Sequence, residues 1–386
     1  MLKDFFLLDP QVIFLNHGSY GACPRPVFER YQVWQRLLER QPVQFLGTDL
    51  DAYLKEARQK LGEYIHAPAN DLVYIPNATT GINIIAHSLR FAKGDEILAT
   101  DQEYGACNYT WEFLCEKSGA IYKTQPVSFP VMSEQQILEQ FWQGVTPKTR
   151  LIYFSHVASP TSLIFPARLI CQKARQEGIL TLVDGAHAPG QLDLDLISLQ
   201  ADFYVGNCHK WMMSPKGVGF LYARPEVQEF IEPLVVSWGY QSRTSPPKDT
   251  RFIDYLQWSG TKDFAAALSV PAAIEFMQEY HWGEVRQQCH SILAEAISRA
   301  IEVTGSPPLY PADSNFYQQM GTLPLPRIRD LKELKERLLT DYRIEIPYID
   351  WKNQHFLRLS VQGYNTADEI ELLMMALTEL LPNCIE

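Results

Sequence analysis

Lys210 follows the apolar run Phe203 to Gly206, inside the stretch GNCHKW, and Trp211 comes directly after it. That is a poor place for a solvated lysine and a good one for an amine of lowered pKa, a free nucleophile toward an aldehyde. A single lysine at a strand end more often only snorkels its charge to water. Asp184 ends the run ILTLVD. Burial there makes a carboxylate costly unless a cation or strong donor faces it, and a protonated pyridinium nitrogen is one such partner. A lone Asp before a glycine is also a common turn or cap. The stretch NATTG, Asn77 to Gly81, precedes the apolar helical run INIIAHSL. Free N–H groups at a helix N-terminus favour an anion, and the small hydroxyl residues Thr79 and Thr80 let a phosphate approach, although an ordinary helix cap reads the same way. Each signal is weak alone. Together, a phosphate cradle, a pyridinium partner and a Schiff-base lysine stand in the chain order that one cofactor needs.

These residues need elements to hold them. The middle of the chain alternates strand-length apolar runs with segments of helical period, which predicts a mostly parallel sheet covered by helices. Predicted strands are Asp71 to Ile75, Glu96 to Thr100, Arg150 to Ser155, Ile179 to Asp184, Phe203 to Gly206 and Val218 to Tyr222. Predicted helices are Gly81 to Leu89, Cys107 to Lys117, Glu134 to Trp142 and Ala167 to Gln176. In open α/β sheets a ligand lies beyond the carboxyl ends of the strands, and the candidate residues follow those ends. Past about residue 265 the pattern turns to long helices, Leu268 to Tyr280 and Val285 to Glu302, then a Pro-rich break at Ser306 to Pro311 and a short α+β pattern. The expected division is a large domain over residues 25–265 and a small one made of 1–24 with 266–386.

Composition narrows the function. Over 386 residues, 46% are hydrophobic and 20% charged, which describes a globular chain. The net charge of −11 argues against nucleic acid or an anionic membrane as partner. No apolar stretch is long enough to span a bilayer, and the N-terminus lacks a signal-peptide layout. Seven cysteines at irregular spacing, without a CxxC pair, suggest reduced thiols and a cytoplasmic home, with no metal framework. Neither GxGxxG nor GxxxxGK[ST] follows the first strand, which disfavours a nucleotide-binding protein. No basic extension suggests a DNA-binding regulator.

DGAHAPG and GNCHKW, with 26 positions between Asp184 and Lys210, resemble the signature of the class V aminotransferase superfamily of fold-type I enzymes. LNHGSYGACP, PNATTGIN, GNCHKW and FLRLSVQGYNT resemble its isopenicillin N epimerase-like branch. The resemblance implies an α/β fold with a mostly parallel seven-stranded sheet, a smaller α+β domain, and pyridoxal 5′-phosphate as cofactor. It further implies that Lys210 carries the cofactor, that Asp184 pairs with the ring nitrogen and that Thr79 and Thr80 bind the phosphate, with His209 assisting. Asn207 stands where desulfurases commonly have a phosphate-binding serine. Tyr104 falls at the position of the group stacked on the ring, His187 at that of a contact to the ring oxygen, and Ser159 near the ring. Thr261, in Ser259-Gly260-Thr261, resembles a residue that reaches the phosphate of a neighbouring subunit, which implies a homodimer. Arg358, in FLRLS, matches an arginine that clamps the α-carboxylate of an amino-acid-type substrate, a task suited to a planar fork. Asn16 and His17 sit in a motif expected to line the substrate entrance.

The resemblance points to chemistry at Cα of an amino acid, with Asp184 keeping the ring protonated and Lys210 as general base. Epimerisation ranks first; β-elimination by a cysteine- or cystine-type C–S lyase is the alternative, and transamination ranks below both. Epimerisation needs a second proton carrier, for which Tyr104 and His17 are candidates. The segment Glu345 to Leu357 contains no cysteine, which disfavours a thiol-dependent desulfurase. Cys23, Cys107 and Cys208 are read as inert thiols. Arg243 and Arg251 are candidates for a second carboxylate, with solvated loop charge as the plainer reading.

Overall fold

A computed structural model describes residues 2–385. Seven strands form one sheet in the order Leu72–Ile75, Gly219–Ala223, Phe203–Asn207, Leu180–Gly185, Thr149–Ser155, Glu96–Thr100 and Ile121–Gln125. The last five are parallel to one another, and Gly219–Ala223 is antiparallel to both its neighbours. Successive side chains enter opposite layers, so Leu151 and Tyr153 join one apolar cluster while Ile152 and Phe154 join the other. Burial on both faces is why these strands read as unbroken apolar runs.

The helices Glu134–Trp142 and Ala167–Gln176 have the predicted bounds. Three details differ from expectation. The helix expected from Gly81 begins at Ala78, because the Asn77 side chain accepts the Thr80 N–H and caps it. The edge strand Ile121–Gln125 escapes the apolar pattern because it is largely open to solvent and carries Lys123 and Gln125. The helix expected over Leu268 to Tyr280 is two, Ala265–Leu268 and Val270–Glu279, with Pro271 in the first turn of the second.

The C-terminal part builds an antiparallel sheet in the order Tyr348–Trp351, Gln354–Ser360, Met320–Leu325. Helices Trp282–Thr304 and Ala367–Cys384 supply apolar side chains to its core. The N-terminal Ile13–Phe14 pairs in parallel with Ile344–Glu345. Trp351 Nε1 donates to the Asp101 carbonyl at 3.3 Å, and Lys352 pairs with the Asp101 carboxylate. The small sheet is thereby pinned to the end of the Glu96–Thr100 strand, which brings Arg358 toward the large sheet. No helix among the described residues is long and apolar enough to cross a membrane.

The Ala78–Ser88 helix lies hard against the sheet. A Cβ on Gly81 would stand 2.6 Å from both Ile75 Cδ1 and Val205 Cγ1. Gly81→Val should cost about 1–3 kcal/mol through overpacking. Urea unfolding measures it, and an unchanged midpoint would show that the helix can shift freely.

Candidate active site

The carboxyl ends of the parallel strands meet one pocket of about 650 Å³, open solvent at its mouth included. Register places Asp184 beside Ser155 on one neighbouring strand and Val205 on the other. Asp184 is 4% exposed. Its Oδ1 accepts the Ala186 N–H at 2.9 Å, while Oδ2 has only the Tyr153 hydroxyl at 3.5 Å and the Cys107 thiol at 4.0 Å. Burial pushes its pKa up, and the Lys210 charge works against that. A carboxylate so weakly served on one oxygen suits a cationic donor from the pocket.

Lys210 Nζ stands 3.2 Å from His187 Nε2. Burial, aided by the Arg358 charge and opposed by Asp184, lowers its pKa to about 8. Trp211 Nε1 donates to His187 Nδ1 at 3.3 Å. Burial holds His187 well below the usual imidazole range. Tyr104, half exposed, forms part of the wall and begins the helix Gly105–Ser118.

At the other end, Asn77 Oδ1 accepts the Thr80 N–H at 2.8 Å and the Thr80 hydroxyl at 3.1 Å. Asn207 Oδ1 accepts the Ala78 N–H at 2.8 Å, so it serves as a second cap on this helix. Thr79 lines the pocket, whereas the Thr80 hydroxyl turns back to Asn77. His209 donates from Nδ1 to the Val218 carbonyl at 3.0 Å, and burial lowers its pKa to about 4.

Arg358 forms the wall behind Ser19 and Ser159. Its Nη1 donates to the Ser159 carbonyl and hydroxyl, both at 2.9 Å, and its Nη2 to the Ser19 hydroxyl at 3.0 Å. The side chain is buried, its Nε has no partner, and no ion pair reaches it among the described residues. Burial lowers its pKa to about 10. Such a cation is poised for a carboxylate from outside the chain.

Asn16 and His17 stand one layer back. Asn16 Oδ1 accepts the Ser19 hydroxyl at 2.5 Å and its amide reaches Glu345 at 3.0 Å. His17 donates from Nε2 to the Lys210 carbonyl at 3.1 Å and pairs with the Tyr364 hydroxyl at 3.0 Å; burial lowers its pKa to about 3. Thr261 is exposed and lies outside this pocket. Arg243 and Arg251 stack on Tyr240 and Tyr255 and do not line it.

Sequence reasoning missed Ser19, Tyr20, Ser155, Trp211 and Glu103. Ser19 and Tyr20 lie in the N-terminal motif, and only the position of that motif hinted at them. Glu103 directly precedes Tyr104 and is buried, accepting from Thr100 Oγ1 at 2.5 Å and Ser155 Oγ at 2.6 Å. Burial raises its pKa to about 8, with Asp184 adding to the rise.

The family model for aminotransferase class-V matches residues 24–373. An isopenicillin N epimerase from Amycolatopsis lactamdurans is 38% identical, the match covering 97% of this chain and 96% of the relative. A probable chloroplastic L-cysteine desulfhydrase from Arabidopsis thaliana is 28% identical, with 98% and 85% covered. The apo structure of a cysteine desulfurase from Thermococcus onnurineus NA1 superposes with a TM-score of 0.83 at 21% identity, covering 99% of this chain and 98% of that one. That likeness concerns the fold.

With a pKa of about 8, half of Lys210 is free amine near pH 8. An ordinary lysine is free amine to roughly one part in three hundred there. Pulsed reductive methylation across pH, read by peptide mapping, should give a Lys210 midpoint near 8. A midpoint above about 10 would contradict the burial argument.

Proposed function

Because the chain belongs to the class V aminotransferase family, we propose that it is a pyridoxal 5′-phosphate enzyme acting at Cα of an amino acid, with epimerisation as the leading reaction. The observation that carries this is that a buried, underserved carboxylate and a lysine of lowered pKa line one pocket, while a buried arginine with no acidic partner among the described residues stands directly behind its wall residues Ser19 and Ser159. The residues fit the cofactor. The underserved Asp184 Oδ2 suits a ring N–H, and the N-terminus of the Ala78–Ser88 helix, with Thr79 at the pocket, suits a phosphate. His209 has its Nδ1 proton committed to Val218, so it can donate to a phosphate only by gaining a proton at Nε2, which the anion's charge favours.

Bound there, the cofactor supplies an electron sink for the pair left when a Cα substituent departs. Asp184 holds the proton on the ring nitrogen. Arg358 orients the substrate through its carboxylate, using the two guanidinium nitrogens now spent on Ser19 and Ser159. Lys210, as a free amine, would take or return the Cα proton on its own face. The second proton carrier falls to Tyr104, which opens onto the pocket, since His17 lies beneath with both ring nitrogens engaged.

Three parts of the reading rest on less direct support. The pairing of Ile13–Phe14 with Ile344–Glu345 supports grouping residues 1–24 with 266–386 beside a cofactor-binding domain of 25–265. The exposed position of Thr261 and the exposed apolar Leu234, Val235, Val236 and Trp238 support a homodimer in which Thr261 serves the neighbouring site. Seven free cysteines support a cytoplasmic location.

The desulfhydrase relative keeps a second reading alive, β-elimination from a cysteine- or cystine-type substrate. Borohydride reduction of cofactor-loaded protein should fix the label on Lys210; label elsewhere rejects the assignment. Incubation with L-amino acids in heavy water should then give Cα deuteration with loss of chirality. Sulfide and pyruvate from cystine without racemisation would select the lyase.

Tyr104→Phe should keep Cα deuteration and lower epimerisation by at least about 100-fold, the scale of a lost acid–base group. Equal loss of both would assign Tyr104 to cofactor stacking instead. Arg358→Leu should lower kcat/KM by about 10²–10³, as a charge-assisted pair of hydrogen bonds is lost.

A further inference from the structure

We propose that Trp211 is a positioning residue that fixes the His187 imidazole in its Nε2–H tautomer, so that His187 offers a donor toward Lys210 Nζ and the group bound there. The indole N–H can only donate. It points at His187 Nδ1 from 3.3 Å in a fully buried contact. If Nδ1 carried the proton, two buried donors would face each other with neither satisfied. The neutral ring therefore holds its proton on Nε2, the atom 3.2 Å from Lys210 Nζ. A donor there needs a lone pair opposite it, which the free amine of Lys210 provides and its ammonium form does not.

The surroundings hold both rings in this arrangement. Trp211 is 0% exposed and packs against the His17 ring at 4.9 Å. A Cβ on Gly190 would come within 2.4 Å of the Trp211 carbonyl carbon and oxygen, so the chain runs tightly past the indole's own backbone. His187 is tied by its carbonyl, which accepts from Gln191 Nε2 at 2.7 Å. After burial, the largest charges acting on the imidazole are those of Lys210, Arg358, His17 and His209, all of which oppose a cationic ring. Burial also disfavours that form.

The consequence for the cofactor rests on the reading given under Proposed function. Were pyridoxal phosphate held at Lys210, the His187 Nε2–H would be available as a donor to its phenolic oxygen. A donor on that oxygen withdraws charge from it and so weakens its grip on the proton shared with the lysine nitrogen. Trp211 would thereby set how easily the lysine-bound cofactor loses that proton, without touching it.

Two measurements test this. In full-length protein without cofactor, labelled with ¹⁵N-histidine and assigned by comparison with His187→Gln, Nδ1 of His187 should resonate as a pyridine-type nitrogen and Nε2 as a pyrrole-type one. The reverse pattern overturns the proposal, even if no Trp211 variant folds. In cofactor-loaded protein, Trp211→Phe should raise the midpoint of the visible pH titration by about one unit, a tenfold change in proton affinity. In a His187→Gln background, where an amide supplies N–H groups whatever Trp211 does, Trp211→Phe should leave the midpoint in place. Equal shifts in both backgrounds would make Trp211 merely structural and reject the proposal. Absence of any visible band would instead defeat the Lys210 reading, with the nitrogen spectrum still deciding the tautomer.

Discussion

A charged group taken out of water must meet a partner, and this site is arranged around groups that meet theirs only in part. Asp184 has one good hydrogen bond and one underserved oxygen, and Arg358 donates to two hydroxyls and a carbonyl with no carboxylate of the described residues in reach. Lys210 answers the same burial by giving up its proton easily. The parallel sheet makes this possible, because strands buried on both faces deliver their last residues into a crevice at the sheet's carboxyl edge. Without that burial Lys210 would be an ordinary ammonium and Asp184 an ordinary solvated acid.

Much of this was legible in the letters. Asp184 closes an unbroken apolar run and Lys210 comes shortly after another, and a strand of that kind ends at the carboxyl edge of a buried sheet, so their place followed from the pattern. The Asn77–Gly81 stretch was harder, since a cap and a phosphate cradle use the same residues. Here Asn77 is a cap in fact, Asn207 is a second one, and the pocket receives Thr79. The edge strand Ile121–Gln125 was invisible because its exposed positions have no core to satisfy.

What the letters hid was mainly partnership across distance. Nothing in the sequence says that Trp211 donates to a histidine 24 positions earlier, or that Ser19 meets an arginine 339 positions later. Glu103 shows the same limit: an acidic residue beside Tyr104 reads as surface charge until the Thr100 and Ser155 hydroxyls are seen around it. The resemblance to a family supplied His187 and Arg358 by analogy, without their partners. The physics of each contact came only with the packing.

The N-terminal segment crosses directly over the lysine. Gly21 adopts φ of +71°, and a Cβ there would fall 2.1 Å from the His209 carbonyl oxygen, while Lys216 Nζ holds the Gly21 carbonyl at 2.8 Å. A few residues earlier, Ile13–Phe14 pairs with Ile344–Glu345. During synthesis the first part of the site to leave the ribosome thus has no partner strand until residues 344–345 have been made. Closing so long a loop delays the contact. A ribosome-bound chain can complete its large sheet well before the roof over Lys210 is laid.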